Sequence, residues 1–392
     1  MNKVALAEIV EELENGSRPE GGVNDSGDVF SVGGEHLNDF GGFDFSSVKL
    51  ISHDFYNQMK RGKVKPDDII IVKDGATTGK TSFVNEQFPH FPCAINEHVF
   101  RLAVNQKVAD PKYVFYYLYS PKGNKEILDD FRGATVGGIS QDFVNKVFIP
   151  LPPLTEQKRI ASLLARADRL RQLRRAARRL ADSLLQSVFL EMFGEVRVNN
   201  KKWELARFED VCESRLGKML DEKKQTGKHK RKYLRNFNVQ WFQFDLSDVA
   251  EMDFDEKDRR EFRLQYGDIL MCEGGEVGRC AIWKEQIEEC YFQKALHRIR
   301  PNPEFVKSEY LVHLFWWLAQ TGGLGDFTSQ VTIAHLTGEK LKELVIPLPP
   351  LPLQEEFARV AARVEALRAR QAEAERQAEE LFQALLAESV GG

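Results

Sequence analysis

The chain has 392 residues, and Lys+Arg 55 against Asp+Glu 59 gives a formal net charge of −4. At about 150 residues per domain that length predicts two to three domains, and 42% hydrophobic with 29% charged residues excludes a disordered tail protein. No apolar run reaches the roughly eighteen residues of a membrane span. The start, Met1 to Leu13, is acidic and amphipathic and lacks a signal-peptide core. Five cysteines (Cys93, Cys212, Cys272, Cys280, Cys290) are odd in number and form no CxxC. That argues against a disulfide framework and a zinc knuckle and predicts a reducing cytoplasm.

In chain order, strands are predicted within 68–73 and 99–103, with the glycine loop DGATTGK (74–80) after the first. IPLPPL at 149–154 reads as a rigid, extended lead-in, because proline suits the segment just before a helix. Thr155 is the expected N-cap. Leu154 to Met192 holds no proline or glycine and predicts a long helix. The order then repeats. A strand within 268–273 precedes EGGEVGR (273–279), IPLPPL recurs at 346–351, and a second long helix runs from Leu351. The offset of 197 that aligns the two IPLPPL blocks also aligns Pro111-Lys112-Tyr113 with Ser308-Glu309-Tyr310, Arg101 with Arg298, and Gln157 with Gln354. Near 200, it aligns Asp67-Asp68-Ile69-Ile70 with Gly267-Asp268-Ile269-Leu270. A constant offset over so many positions marks a duplicated protein with internal pseudo-two-fold symmetry, not a solenoid.

Both helical stretches step by three and four, the spacing of a coiled coil. The expected seam is Ile160, Leu163, Ala167, Leu170, Ala177 and Leu184 on the first, interrupted by Arg174. On the second it is Val360, Val364, Leu367, Ala374, Leu381 and Leu385, interrupted by Gln371. Nine basic and four acidic residues in 154–192 face five basic and eight acidic in 351–390, opposite signs that suit pairing. The alternative is that these are solvated faces of separate helices. At ~1.5 Å per residue each helix is about 55–60 Å long. The connection FGEVRVNNKK (193–202) is too short to return along such a rod, so antiparallel pairing is expected, with the two globular copies at opposite ends. The predicted fold is α+β: two similar mixed α/β domains separated by an antiparallel two-helix coiled coil. Expected boundaries are 1–148, 149–194, 195–345 and 346–392.

The duplicated IPLPPL, followed by Glu156-Gln157-Lys158-Arg159-Ile160 and by Asp168-Arg169-Leu170, resembles the specificity (S) subunit of type I restriction–modification systems. So do the run Tyr233-Leu234-Arg235-Asn236-Phe237-Asn238-Val239, Gly267-Asp268-Ile269-Leu270 and the loop ending Gly278-Arg279. The second copy has Leu353 where the first has Glu156, and Gly33-Gly34-Glu35-His36-Leu37 replaces the Arg-Asn run in the first. The resemblance covers essentially the whole chain. It implies that each globular copy is a target-recognition domain reading half of a bipartite double-stranded DNA target. It also implies that the helices act as a ruler docking two modification (M) subunits, and that restriction (R) subunits join a larger complex. This chain then carries no cofactor; S-adenosylmethionine and ATP/Mg belong to the partner subunits, which carry adenine methylation and ATP-dependent cleavage.

The net charge gives no argument for nucleic acid, so local patches must carry it. Between Arg215 and Arg235 lie nine basic residues, with Arg215, Lys218, Lys228, Lys230, Arg231, Lys232 and Arg235 as phosphate-contact candidates. The alternative is a solvated charged loop. The acidic stretch Asp245 to Glu261 that follows is read as a solvent- or partner-facing surface. In the first copy the patch is smaller: Lys60, Arg61, Lys63 and Lys65. The glycine loops end in Lys80 and Arg279, placed to meet backbone or a guanine edge, or are plain strand-to-strand turns. Thr135 and Thr332 lie in matching Gly/Thr/Ser-rich loops and are weaker candidates.

Enzyme readings fail on spacing. GATTGKT has three residues between its glycines, where a P-loop needs four. A methyltransferase needs an Asn/Asp-Pro-Pro-aromatic motif, and the Pro-Pro pairs here lie in the lead-ins. Asp255-Glu256-Lys257 alone does not make a nuclease, and no histidine spacing suggests a metal. No catalytic residue is expected. The remaining competitor is a coiled-coil scaffold that does not bind DNA.

Overall fold

The computed structural model describes residues 3–19, 27–133, 137–221, 225–324 and 336–390. The chain forms two compact units, Met1–Arg175 with Glu373–Gly392, and Ala176–Ala372. Each contains one mixed α/β domain and parts of both long helices.

In the first unit a four-stranded antiparallel sheet runs Val10–Asn15, Val99–Val104, Ile69–Val72, Thr81–Phe83. A three-stranded sheet runs Leu50–Ile51, Val29–Val32, Cys93–Ile95, its last pair parallel. The apolar run IIIV forms a strand buried on both faces. Ile69 and Ile71 face the core under helix Pro111–Tyr119, while Ile70 and Val72 face the core of the smaller sheet. The second unit repeats this order with Cys212–Leu216, Leu296–Pro301, Ile269–Cys272 and Cys280–Ile282, and with Ala250–Asp253, Lys230–Leu234 and Cys290–Phe292. Ile269 and Met271 again face one core, Leu270 and Cys272 the other.

The aligned residues are those that close buried polar accounts. The lead-in carbonyls of Pro150 and Pro347 each accept a 2.7 Å bond from Tyr113 and Tyr310. Buried Gln157 accepts from Asp110 N at 2.9 Å and donates to Pro152 O at 2.9 Å. Gln354 accepts from Lys307 N at 2.9 Å and donates to Pro349 O at 2.7 Å. A buried amide must satisfy both ends, so this residue holds the lead-in and its helix against the domain in both copies. The helix begins at Leu154, and the amides of Glu156 and Gln157 bond Pro153 O at 2.8 and 3.1 Å. Thr155 therefore lies inside the first turn and is not the cap.

The run that matched the family poorly folds into the same turn. His36 accepts Gly33 N–H on Nδ1 at 2.9 Å, and Asn238 accepts Arg235 N–H on Oδ1 at 2.9 Å. Onward, His36 Nε2 meets Ser47 O at 3.0 Å, and Asn238 donates to Asp245 O and Asp248 O at 2.8 Å. Both side chains are fully buried. Imidazole and amide present the same acceptor–donor pair, so one substitutes for the other.

The long helices span Leu154–Phe193 and Leu351–Val390, 40 residues each. In the first unit Ile160, Ala161, Leu164 and Ala167 share a core with Phe382, Leu386 and Val390. Arg171 pairs with Glu379 at 3.2 Å, and Arg175 with Glu379 at 2.6 Å and Glu375 at 3.6 Å. In the second unit Phe189 and Phe193 meet Phe357 at 5.4 and 5.3 Å, and Arg368 donates to Ala181 O at 3.3 Å. Numbers rise on one helix as they fall on the other, so within each unit the pairing is antiparallel.

The seam differs from the one expected. Ile160, Ala167 and Val364 are buried, and Ala177, Val360, Ala374 and Leu385 half-buried. Leu163, Leu170, Leu184, Leu367 and Leu381, however, are between 36% and 47% exposed. The buried row lies one residue on, at Leu164, Arg171, Leu185 and Phe382, with Arg368 half-buried on it. Leucine marked the most apolar heptad ladder, but the facing ladder mixes leucines with Arg171, paired to Glu379, Arg368, bonded to Ala181 O, and the Phe382 ring.

Two outcomes test this packing. In urea denaturation Leu185→Ala should cost about 2–5 kcal/mol, and Leu184→Ala, one residue away, under about 0.5 kcal/mol. His36→Asn should keep the stability of the first domain, whereas His36→Ala should cost about 1–3 kcal/mol by stranding Gly33 N–H. Burial is the main force holding the His36 pKa below its ordinary 6.5. Its contribution is therefore complete above pH 6.5 and falls as the pH drops below it, a slope that His36→Asn should flatten.

Candidate nucleic-acid interface

Most of the sequence-predicted cations are already engaged. Lys218 donates to Asp253 O at 2.7 Å, pairs with Asp258 and lies 4.9 Å over the Phe254 ring. Arg215 pairs with Glu261, Arg231 with Glu289 at 3.2 Å, and Arg235 with Asp248 at 2.8 Å. The acidic stretch is thus less a surface for partners than the source of counter-charges for the basic one. Three of the four acids come from 245–261, brought alongside because Ala250–Asp253 pairs antiparallel with Lys230–Leu234. Lys228, Lys230 and Lys232 stay exposed and without an ion pair among the described residues. On the strand Lys230 and Lys232 share one face, with Arg231 and Tyr233 on the other.

In the first unit Lys60 and Arg61 are exposed and without an ion pair among the described residues, after helix His53–Gln58. Lys63 lies 4.8 Å over the Tyr56 ring. Lys80 pairs with Asp39 at 2.6 Å. Thr135 and Thr332, with Lys223 and Lys224 of the basic patch, lie outside the described residues.

Both glycine loops are hairpin turns, joining Ile69–Val72 to Thr81–Phe83 and Ile269–Cys272 to Cys280–Ile282. Gly75 and Gly275 have φ of +96° and +79° with open space where a Cβ would stand, so the turn faces outward and needs glycine for its backbone. Arg279 is a brace more than a free hand. It pairs with Glu276 at 3.2 Å and donates to Asn236 Oδ1 at 3.0 Å, while Asn236 donates to Gly274 O at 3.0 Å. This ties the glycine turn to the turn that carries Asn238.

Two features escaped the sequence reading. Asp253, buried at the edge of the smaller sheet, accepts from Thr226 N and Oγ1, Gly227 N and His229 N at 2.5, 2.8, 2.7 and 3.0 Å. Burial works to raise its pKa, but these bonds bring it down to about 2, so the carboxylate stays charged and the cage closed at neutral pH. Met219 and Leu220, in an otherwise charged loop, are 60% and 48% exposed. Their only signal in the sequence is an apolar pair amid lysines. Among the described residues no group of three or more His, Cys, Asp or Glu could hold a metal ion, and no helix is long and apolar enough to cross a membrane.

Comparison with known proteins is consistent with this layout. The type I restriction–modification DNA specificity domain matches twice, over residues 1–178 and 200–376. The EcoBI specificity subunit of Escherichia coli is 26% identical over 334 residues, covering 76% of this chain and 66% of that protein. The EcoKI specificity subunit of Escherichia coli (strain K12) is 22% identical over 336 residues, covering 81% and 72%. In fold, an S subunit of a type I system from M. genitalium superposes with TM-score 0.61 at 12% identity, covering 99% of this chain and 96% of its own. With two copies of the domain spanning nearly its whole length, the chain belongs to the type I restriction–modification DNA specificity family.

Proposed function

We propose that this chain is the non-catalytic DNA-targeting subunit of a type I restriction–modification complex, each mixed α/β domain reading one half of a bipartite target. In this reading residues 1–148 and 195–345 are the recognition domains. Residues 149–194 and 346–392 are the lead-ins and long helices, which set the gap between half-sites and dock two modification subunits. Those subunits bind S-adenosylmethionine and methylate adenine; restriction subunits with ATP and Mg join where cleavage occurs, and the complex works in the cytoplasm.

The observation that carries it is the repetition itself: two like domains, each leading through a buried glutamine into a 40-residue helix that pairs antiparallel with the other. Antiparallel helix pairing within each unit suits half-sites addressed on opposite strands. Lys60, Arg61, Lys228, Lys230 and Lys232, exposed and without an ion pair among the described residues, supply cations for phosphates. For docking, the exposed leucines off the seam offer apolar ground. These are Leu163, Leu170, Leu173 and Leu381 in the first unit, and Leu180, Leu184, Leu190 and Leu367 in the second.

Methylation mapped at base resolution, with the cognate modification subunits present, tests the ruler. Deleting one heptad from the middle of each helix removes about 10 Å and should shorten the gap by about three base pairs with both half-sites unchanged; an unchanged gap refutes the ruler. A salt-titrated gel shift tests the interface. Lys228→Ala/Lys230→Ala/Lys232→Ala should weaken binding across all sequences and lower the log–log salt slope by about 2–3. A scaffold that does not bind DNA would give no shift at any ionic strength.

A further inference from the structure

Both ends of the loop between Leu216 and Lys230 close on one residue. At the leading end Lys218 donates to Asp253 O at 2.7 Å, while its main chain accepts from Lys294 N at 2.8 Å and donates to Phe292 O at 3.2 Å. At the trailing end the Asp253 carboxylate holds Thr226, Gly227 and His229. Between these staples Met219 and Leu220 stand 60% and 48% exposed, and neither belongs to a hydrophobic cluster among the described residues. Beside the same anchor begin Lys228, Lys230 and Lys232, exposed and without an ion pair among the described residues. Single exposed apolar residues are ordinary. Two in succession, at a loop whose neck is pinned, beside three exposed lysines, form a different pattern. It is the combination with which DNA-bending proteins work: cations hold the phosphates while apolar side chains replace part of the base stack.

On the basis of the DNA-targeting reading above, we propose that Met219 and Leu220 are a wedge that enters between two base pairs of the half-site read by the second domain and unstacks them. Among the described residues the matching segment of the first domain has no such apolar pair. Gly16 and Gly217 occupy matching places, where an added Cβ would lie 2.0 Å from Ile95 O and 2.3 Å from Gln293 O. The residues after them correspond as Ser17 to Lys218, Arg18 to Met219 and Pro19 to Leu220. Arg18 is paired with Glu97 at 3.1 Å. The distortion therefore belongs to one half of the target.

The test uses the full chain with its modification subunits on a duplex carrying the mapped target, with 2-aminopurine placed in turn along both halves except at the methylated adenines. The expected result is a several-fold fluorescence rise at one step, in one half only. Met219→Ala/Leu220→Ala should abolish the rise and weaken binding about tenfold, whereas Met219→Leu/Leu220→Met should retain both. Lys228→Ala/Lys230→Ala/Lys232→Ala should weaken binding yet keep the rise once the duplex is saturated. A bound duplex with no rise at any step, a rise in both halves, or a rise that survives the double alanine variant overturns the wedge while leaving DNA targeting intact. Failure of the unaltered protein to bind the duplex overturns the targeting reading and the wedge with it.

Discussion

A guanidinium with 1% of its side chain exposed is costly unless its donors are partnered, and Arg171 finds its partners on its own helix, on the other helix and in the domain. Its Nε bonds Asp168 at 2.6 Å on its own helix, and one Nη bonds Glu379 at 3.2 Å on the other. The second Nη reaches Phe40 O at 3.1 Å and Tyr119 Oη at 3.3 Å in the domain, and the Phe382 ring lies 3.7 Å away. Removing one partner of a buried charge costs about 3–5 kcal/mol, so Arg171 couples the helix pairing of this unit to its domain contacts. One turn on, Arg175 is stacked 3.4 Å over the Phe40 ring and paired with Glu379. Buried ion pairs of this kind select a geometry more than they add stability. In the second unit the equivalent place is held differently, with Lys284 of the domain paired to Glu365 on the helix.

What the sequence made legible were features that depend on local covalent geometry or on identity between the copies. The lead-in prolines, Gln157 with Gln354, Tyr113 with Tyr310, and the Asp that opens each buried strand all carry matching contacts. Asp68 accepts from Lys65 N at 2.6 Å, as Asp268 does from Gln265 N at 2.8 Å. Even here one partner moved. Arg101 bonds Asp68 at 2.5 Å, but its aligned residue Arg298 bonds Glu213 at 2.6 Å, and Asp268 is held by Arg300 at 2.7 Å. What stayed hidden was set by distant pairing. Nothing near Lys218 says that its partner lies forty residues on at Asp258. Nothing in a leucine ladder says that the neighbouring ladder, with Arg171 in it, is the buried one.

The two copies keep the scaffold and change what they display. Parallel pairing sets Phe30 against Cys93 and Lys232 against Cys290, so Phe30 and Lys232 occupy the same strand position. Phe30 is buried, stacked on His90 at 4.6 Å and edge-on to Phe45 at 4.9 Å, whereas Lys232 is exposed. Glu35, in the turn held by His36, pairs with Lys49, whereas its counterpart Phe237, in the turn held by Asn238, is 52% exposed. Buried positions are constrained by packing on all sides and tolerate only equivalents such as His for Asn. Exposed positions on the same frame are free to diverge, which under the proposed function lets one fold address two different sequences.

Self-neutralisation of the basic stretch bears on selectivity. Every cation left free adds affinity for any duplex, because phosphate contacts carry no sequence information. Asp248, Asp258, Glu261 and Glu289 withdraw four cations of the second domain from that role, and the chain as a whole, at −4, does not attract polyanions. Under the proposed function, a reader built this way grips arbitrary DNA weakly through either domain alone. Two such domains on one chain behave differently, since the second contact becomes intramolecular once the first is made, at an effective concentration set by the connection. Under the proposed function, strong binding then requires both half-sites at the spacing that the helices allow, and an isolated half-site is rejected although its bases are correct.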